Sequence, residues 1–147
     1  MVTQSVVKEI GILVPQFKED KLIVLFGPAA PQELRDMSVI HEFEHLEEEP
    51  LKLGGTIQVG DQTYTITALG NKANDNFKEL GHISIYFQEP FDDVLPGAVF
   101  ASPHTFPDIK KKAYELKFRN HVKKKLFLIR SFFFYMRFTR KSIYDML

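Results

Sequence analysis

Three residues in one short stretch have the types and spacing of a zinc hydrolase. His41, Glu42 and His45 spell the pattern H-E-x-x-H within the segment HEFEH. On a helix, two histidines four residues apart share one face and bind the metal, and the glutamate activates the metal-bound water. A third ligand is missing, because residues 46–50 (LEEEP) do not extend the pattern. In a segment this rich in glutamate, a chance match is expected in on the order of one such chain per hundred, so the motif alone is weak evidence and zinc catalysis is the weaker hypothesis.

A histidine also supports a second chemistry, phosphoryl transfer, that needs no metal. The protonated histidine ring has an ordinary pKa of about 6.5, so the ring is mostly neutral near pH 7. It attacks phosphorus through one ring nitrogen while a hydrogen-bond acceptor holds the other. Transfer between two phosphohistidines is nearly balanced in energy, so the protein mainly aligns donor and acceptor and offsets the charge of the transferred group.

Short β-strands are the elements that must position these histidines. Residues 21–26 (KLIVLF) predict a buried strand, and alternating apolar residues on both sides of Gly60 and Asp61 predict a β-hairpin. Further strands are predicted at residues 82–87, 98–100 and 114–118. Glycine and proline punctuate these segments at the spacing of a small antiparallel barrel or sandwich. The predicted fold class is therefore mainly β, a barrel-like domain with one or two short helices.

Helical patterns occur in two places. Residues 31–49 begin with Pro31, which favours a first helical turn, and residues 72–80 end at Gly81, which favours a helix terminus. The first segment contains both His41 and His45, and a continuous helix through them is what the zinc hypothesis requires. The secondary structure of this segment therefore decides between the two chemistries.

Composition predicts one soluble domain of ordinary size, followed by a C-terminal segment of different composition. The chain has 147 residues, of which 44% are apolar and 26% charged. The absence of cysteine excludes disulfides, thiolate metal sites and a cysteine nucleophile, and it favours a reducing compartment. The amino terminus lacks the pattern of a signal peptide, so a cytoplasmic location is expected.

Charge divides the chain at about residue 118. Residues 1–118 carry 11 Lys and Arg against 18 Asp and Glu, a net charge of −7, whereas residues 119–147 carry 8 against 1, a net charge of +7. The acidic part repels nucleic acid and favours a basic protein partner. We therefore expect two segments, a domain at residues 1–118 and a basic aromatic tail at residues 119–147.

The tail is too short and too charged to predict a membrane span. Its apolar run at residues 126–138 is interrupted by Arg130 and Arg137 and is shorter than the ~20 residues that a membrane helix needs. We therefore expect no direct membrane insertion. Two interpretations stay open: a basic helix lying on an anionic membrane, or sequence that is not native to the domain. Whether the tail is ordered is left open as well.

The central block of the chain consists of residues 60–70 (GDQTYTITALG) and 75–83 (DNFKELGHI). This block resembles the glucitol/sorbitol-specific enzyme IIA component of the bacterial phosphoenolpyruvate-dependent sugar phosphotransferase system, with looser similarity across the rest of residues 1–118. His41, at the end of the segment SVIH, falls where this family carries its phosphorylated histidine. His82 is a candidate to stabilise the phosphoryl group or to orient the His41 ring. The alternative is that His82 is a partly buried strand residue whose hydrogen bonds are made only to backbone atoms.

The resemblance implies a cytoplasmic phosphocarrier for uptake of a sugar alcohol. His41 would accept a phosphoryl group from the histidine-containing phosphocarrier protein and pass it to enzyme IIB, while enzyme IIC admits the sugar. No cofactor, metal or nucleic acid is implied. Two alternatives remain: a catalytically silent β-barrel binding or regulatory module, and the zinc hydrolase.

Overall fold

Eight strands close into a barrel in the computed structural model, which describes residues 2–109 and 115–121. The strands are β1 (Val2–Ile10), β2 (Leu22–Phe26), β3 (Val39–His45), β4 (Thr56–Val59), β5 (Gln62–Leu69), β6 (Ile83–Tyr86), β7 (Ala98–Ser102) and β8 (Glu115–Arg119). Their order around the barrel is β1-β3-β2-β6-β7-β5-β4-β8, and β8 pairs with β1 to close it. The predicted mainly β, barrel-like fold is confirmed.

The barrel is antiparallel except at two strand pairs, which are separated by the antiparallel pair of β2 with β6. In the described part of the chain, β2 pairs with β3 and β6 pairs with β7 in parallel, whereas the other six pairs are antiparallel. A parallel pair needs a crossover connection rather than a tight turn. The segment from β2 to β3 carries the short helix α1 (Gln32–Arg35), which supplies such a crossover.

A second helix, α2 (Ala73–Leu80), connects β5 to β6 and ends as the sequence predicts. Gly81 follows it in the left-handed conformation, with φ of 66°, and its N–H bonds the carbonyls of Asn76 and Phe77. Glycine adopts this conformation without the steric cost that other residues meet, so it terminates the helix. Together with α1 this gives the one or two short helices expected.

The prediction of a helix over residues 31–49 is wrong beyond Arg35. Residues 39–45 form β3, which lies between β1 and β2 and pairs with both. Val39 and Ile40 are β-branched and Phe43 is aromatic, and such side chains pack well on a pleated surface with partners on both sides. Backbone pairing with two neighbouring strands therefore overrides the weak local preference for a helix.

The other predicted strands are confirmed. The segment 21–26 forms β2, the hairpin around Gly60 and Asp61 joins β4 to β5, and the segments at 82–87 and 98–100 form β6 and β7. The last predicted strand forms β8 from Glu115, and Tyr114 lies outside the described residues. Apolar runs and the alternation of apolar and polar residues therefore predict six of the eight strands, all except β1 and β3.

Helix α2 contributes to the core through its apolar face. Ala73 and Phe77 are fully buried, and the Phe77 ring lies 4.8 Å from that of Phe118 and 5.0 Å from that of Phe43. These rings join the end of α2 to β3 and β8. The part of the barrel that contains His41 is therefore held by aromatic packing across three elements.

The barrel is complete at Arg119, whose neighbours across the two adjacent strands are Val2 and Thr56. The predicted tail at residues 119–147 lies outside the described residues from position 122 onward. Among the helices of residues 2–109 and 115–121, none is long and apolar enough to cross a membrane.

We predict that a chain ending at residue 121 still unfolds cooperatively, because all eight strand pairings lie within residues 2–119. Thermal denaturation followed by circular dichroism measures this. The matched control ends at residue 114 and so removes β8, which leaves β1 and β4 with open edges and should abolish the cooperative transition. Loss of the transition in the longer chain would show that the domain extends beyond residue 121.

Candidate functional site

His41 lies in the middle of β3 and is fully buried, with an exposed fraction of 0%. Its ring stacks on Phe77 at 5.6 Å between centroids and meets the edge of Phe43 at 5.0 Å. Most histidines lie nearer the surface because the ring carries two polar nitrogens that need partners. A histidine this deep among aromatic rings therefore needs a structural or chemical reason.

One ring nitrogen of His41 has a backbone partner. Nε2 lies 2.7 Å from the carbonyl oxygen of Gly81. A carbonyl oxygen only accepts hydrogen bonds, so Nε2 carries the proton and donates it. In the neutral ring, Nδ1 therefore holds a free lone pair.

The other nitrogen of His41, Nδ1, is buried and has no hydrogen-bond partner among the described residues. Burying a polar atom without a partner costs about 1–3 kcal/mol. Such a group in a folded protein is uncommon and points to a catalytic role or an additional bound species. A free nitrogen lone pair is also what a nucleophile requires.

Burial lowers the pKa of His41 below its ordinary value of 6.5, because the charged ring loses its hydration. The hydrogen bond to the Gly81 carbonyl raises this pKa, but by less than burial lowers it. The ring is therefore neutral near pH 7, the state in which Nδ1 is nucleophilic.

Gly81 fixes the carbonyl that holds the His41 ring. The backbone at Gly81 is packed so closely on Gly27 that a Cβ atom there would lie 2.7 Å from the Gly27 nitrogen and 2.8 Å from its Cα. The Gly27 N–H in turn donates to the Leu80 carbonyl at 2.8 Å. These contacts join the end of α2 to the end of β2, and glycine is required at Gly81 both for space and for its positive φ.

A cleft of about 160 Å³ opens beside His41. It is lined by Phe26, Gly27, Pro28, Ala29, His41, Phe43, Lys78, Glu79, Leu80 and Gly81. Lys78 and Glu79 are the charged residues among those that line it. A larger cleft of about 450 Å³ lies elsewhere, and its described lining includes Lys18 and Asp108 but no histidine. The smaller cleft is therefore the candidate site.

His82 is adjacent to the site but is held differently. Its Nδ1 donates to the carbonyl of Leu25 at 3.0 Å, and its ring stacks on Phe26 at 4.5 Å. His82 is not one of the described residues that line the cleft, although Phe26 is. With the proton on Nδ1, neutral His82 has an accepting Nε2, so only the doubly protonated ring donates a second hydrogen bond.

The H-E-x-x-H motif does not form a zinc site. His41 and His45 lie on a strand, where four residues span about 13 Å, rather than on one turn of a helix. His41 is buried, whereas the His45 side chain is 63% exposed and bonds Glu47 at 2.9 Å. Across the residues that the structure describes, no group of three His, Asp or Glu side chains could hold a metal. The zinc hypothesis fails because the segment is not a helix.

Two contacts made by α2 and the glycine after it are not visible in the local sequence. Gly81 and His41 are 40 residues apart, and glycine after a helix indicates only a terminus. The Asn74 side chain makes reciprocal bonds of 2.9 Å with the N–H and carbonyl of Leu51, which hold the loop after β3 against α2. Both contacts depend on which strands become neighbours in the barrel.

Comparison with known proteins identifies a family for this chain. Residues 2–115 match the family described as the glucitol/sorbitol-specific IIA component of the PTS system. The chain belongs to this family. The glucitol/sorbitol-specific EIIA components of Shigella flexneri and Escherichia coli strain K12 are each 28% identical over 109 residues, which cover 74% of this chain and 88% of theirs.

A solved structure supports the same family at the level of the fold. The crystal structure of a PTS system IIA component from Enterococcus faecalis V583 superposes with a TM-score of 0.72 at 29% identity, covering 80% of this chain and 99% of that one. Proteins of the glucitol/sorbitol IIA family are components of a phosphotransferase system. Family membership therefore supports a phosphocarrier role and interaction with other components of that system.

We predict that Gly81→Ala destabilises the protein more than Gly54→Ala. Both glycines have positive φ, which costs about 1–2 kcal/mol for alanine. An added Cβ at Gly54 meets no atom within 4 Å, so this matched control isolates the conformational cost from the clash with Gly27. Urea denaturation should give an excess loss for Gly81→Ala of more than about 1 kcal/mol. Equal losses would contradict a tight contact between Gly81 and Gly27.

We also predict that His41 makes the folded state less stable at acidic pH. Because its folded pKa lies below 6.5, the unfolded chain binds a proton first as the pH falls through 6.5. The free energy of unfolding should then fall by up to about 1.4 kcal/mol per pH unit until the folded pKa is reached. Denaturation of the native chain and of His41→Gln at several pH values measures this. If the free energies of unfolding of the native chain and of His41→Gln differed by the same amount at every pH, the lowered pKa of His41 would be contradicted.

Proposed function

We propose that this protein is a phosphocarrier for uptake of a sugar alcohol and that His41 carries the phosphoryl group. The observation that supports this most directly is the buried, unpartnered Nδ1 of a neutral histidine whose other nitrogen is fixed by a backbone carbonyl. Such a ring is oriented and uncharged before the partner arrives. Family membership adds independent support, because the chain matches the glucitol/sorbitol IIA family over residues 2–115.

The donor in this proposal is the histidine-containing phosphocarrier protein, and the acceptor is the cognate enzyme IIB, which works with enzyme IIC. Transfer from one histidine to another is close to thermoneutral, so the main task of this protein is alignment. Leu80 lines the cleft and is 50% exposed, which offers an apolar contact at its mouth. The net charge of −7 over residues 1–118 favours a basic partner surface. A cytoplasmic location belongs to the same proposal.

Lys78 and His82 are the proposed auxiliary residues. Lys78 lines the cleft, and its ammonium group would offset negative charge on the transferred group. His82 would stabilise that group only when doubly protonated, because its Nδ1 proton is donated to Leu25. In either state, the bond from His82 Nδ1 to the Leu25 carbonyl helps to hold the end of β2.

A catalytically silent binding module is the competing function. It would have the same barrel but would never become phosphorylated. The unpartnered Nδ1 argues against it, because a residue with only a structural role is expected to satisfy a buried polar atom or to replace it with carbon.

We predict that incubation with phosphoenolpyruvate, enzyme I and the histidine-containing phosphocarrier protein adds one acid-labile phosphoryl group to the chain. Intact-protein mass spectrometry at mildly alkaline pH measures it. His41→Gln should abolish this modification. His45→Gln is the matched control on the same strand and should retain it, since His45 is exposed and paired with Glu47.

Two results would contradict the proposal. Full phosphorylation of folded His41→Gln would move the carrier role to another residue. A folded native chain that is never phosphorylated, with a donor shown to be active on another acceptor, would favour the silent module. Circular dichroism of each variant confirms that a loss of phosphorylation is not a loss of fold.

A further inference from the structure

We infer that the phosphoryl group is carried on Nδ1 of His41, with the proton of Nε2 retained and donated to Gly81. This inference rests on the proposed function and specifies its chemistry. The two imidazole nitrogens are both potential nucleophiles, so the choice depends on the surroundings of each. In this protein the surroundings differ sharply.

Attachment at Nε2 is opposed by the position of the Gly81 carbonyl. Its oxygen lies 2.7 Å from Nε2, where the phosphorus atom of an Nε2 adduct and its oxygens would have to be. The adduct would therefore require both loss of this hydrogen bond and displacement of the carbonyl. That carbonyl is held by the packing of Gly81 on Gly27, where backbone atoms leave little room for movement.

The charge at the end of α2 also disfavours Nε2. Gly81 directly follows the last residue of α2, so its carbonyl lies at the negative end of the helix dipole. Phosphoryl oxygens placed there would meet a carbonyl oxygen and this negative potential. Attachment at Nδ1 puts the phosphoryl group on the opposite side of the ring from the Gly81 carbonyl.

The proposed transfer balances without a separate base. The Nδ1 lone pair attacks the phosphorus atom of the donor's phosphohistidine, the new N–P bond forms, and the donor's N–P bond breaks. The electron pair of the broken bond returns to the donor nitrogen. His41 keeps its Nε2 proton throughout, so the phosphorylated ring becomes a cation that carries an anionic phosphoryl group. No proton has to leave or enter the cleft.

The same hydrogen bond stabilises the product. A cationic ring donates a stronger hydrogen bond to the Gly81 carbonyl than a neutral ring does, and a helix C-terminus stabilises positive charge. A cationic imidazole is also the better leaving group, because it departs as a neutral ring when the phosphoryl group is passed on. Retention of the Nε2 proton therefore favours both acceptance and onward transfer.

Access to Nδ1 requires a movement at the cleft. The His41 side chain is covered in the described structure, and Nδ1 itself has almost no exposed surface. Phe43 contacts the His41 ring by its edge, lines the cleft and is only partly buried. A rotation of the Phe43 side chain is therefore the proposed movement that admits the phosphoryl group to Nδ1.

The test is to phosphorylate protein labelled with ¹⁵N in histidine and to locate the phosphorus by NMR at mildly alkaline pH. The expected result is phosphorus coupled to Nδ1 of His41 and a proton retained on Nε2. Alkaline hydrolysis followed by separation of the two phosphohistidine isomers provides a second measurement that does not depend on the folded state. Signals that are lost in His41→Gln and retained in His45→Gln are assigned to His41.

The outcomes separate this inference from the proposed function. Phosphorus on Nε2 of His41 would overturn the nitrogen assignment and leave the phosphocarrier function in place. Phosphorus on another residue, or none on the folded native chain with an active donor, would overturn both. Phosphorus on Nδ1 with a proton still on Nε2 supports both.

Discussion

The hydrogen bond from His41 Nε2 to the Gly81 carbonyl is the interaction on which the site depends. It joins the middle of β3 to the end of α2 across 40 residues and sets which ring nitrogen is free. The carbonyl can occupy that position only because Gly81 adopts the left-handed conformation and packs directly on Gly27. The chemistry of one side chain is therefore determined by two glycines that have no side-chain chemistry of their own.

The barrel supplies the burial that makes this bond effective. β3 lies between β1 and β2, and the aromatic rings of Phe43 and Phe77 cover the histidine. Exclusion of water keeps the ring neutral and strengthens its hydrogen bond to the carbonyl. The same exclusion makes the unpartnered Nδ1 costly, so the fold gives up some stability to present a free lone pair. The proposed phosphoryl transfer requires access to this buried nitrogen, and rotation of the Phe43 side chain is the movement proposed for it.

Much of the fold is predictable from the sequence, because β2, the β4–β5 hairpin, β6, β7 and β8 all show apolar residues at strand spacing. Helix α2 is predictable because Gly81 terminates it. β3 is not, since Pro31 and the charged residues after it favour a helix locally, whereas pairing with β1 and β2 is a long-range effect. The zinc hypothesis comes from the H-E-x-x-H motif and requires this same segment to be a helix. The parallel pairs and the contact of His41 with Gly81 depend on strand order, which local patterns do not encode. His41 is predicted as the phosphorylated residue by resemblance to a family, and its hydrogen bonds require the structure.

The most direct measurement is the tautomer and charge of His41 in the unmodified protein, from long-range correlation of ring protons with ring nitrogens by NMR as the pH is lowered through 6.5. A buried ring that donates to Gly81 predicts a neutral His41 with its proton on Nε2. This neutral form should persist when the pH is lowered below 6.5, the ordinary histidine pKa. A proton on Nδ1, or an imidazolium already present at neutral pH, would contradict this assignment of the site.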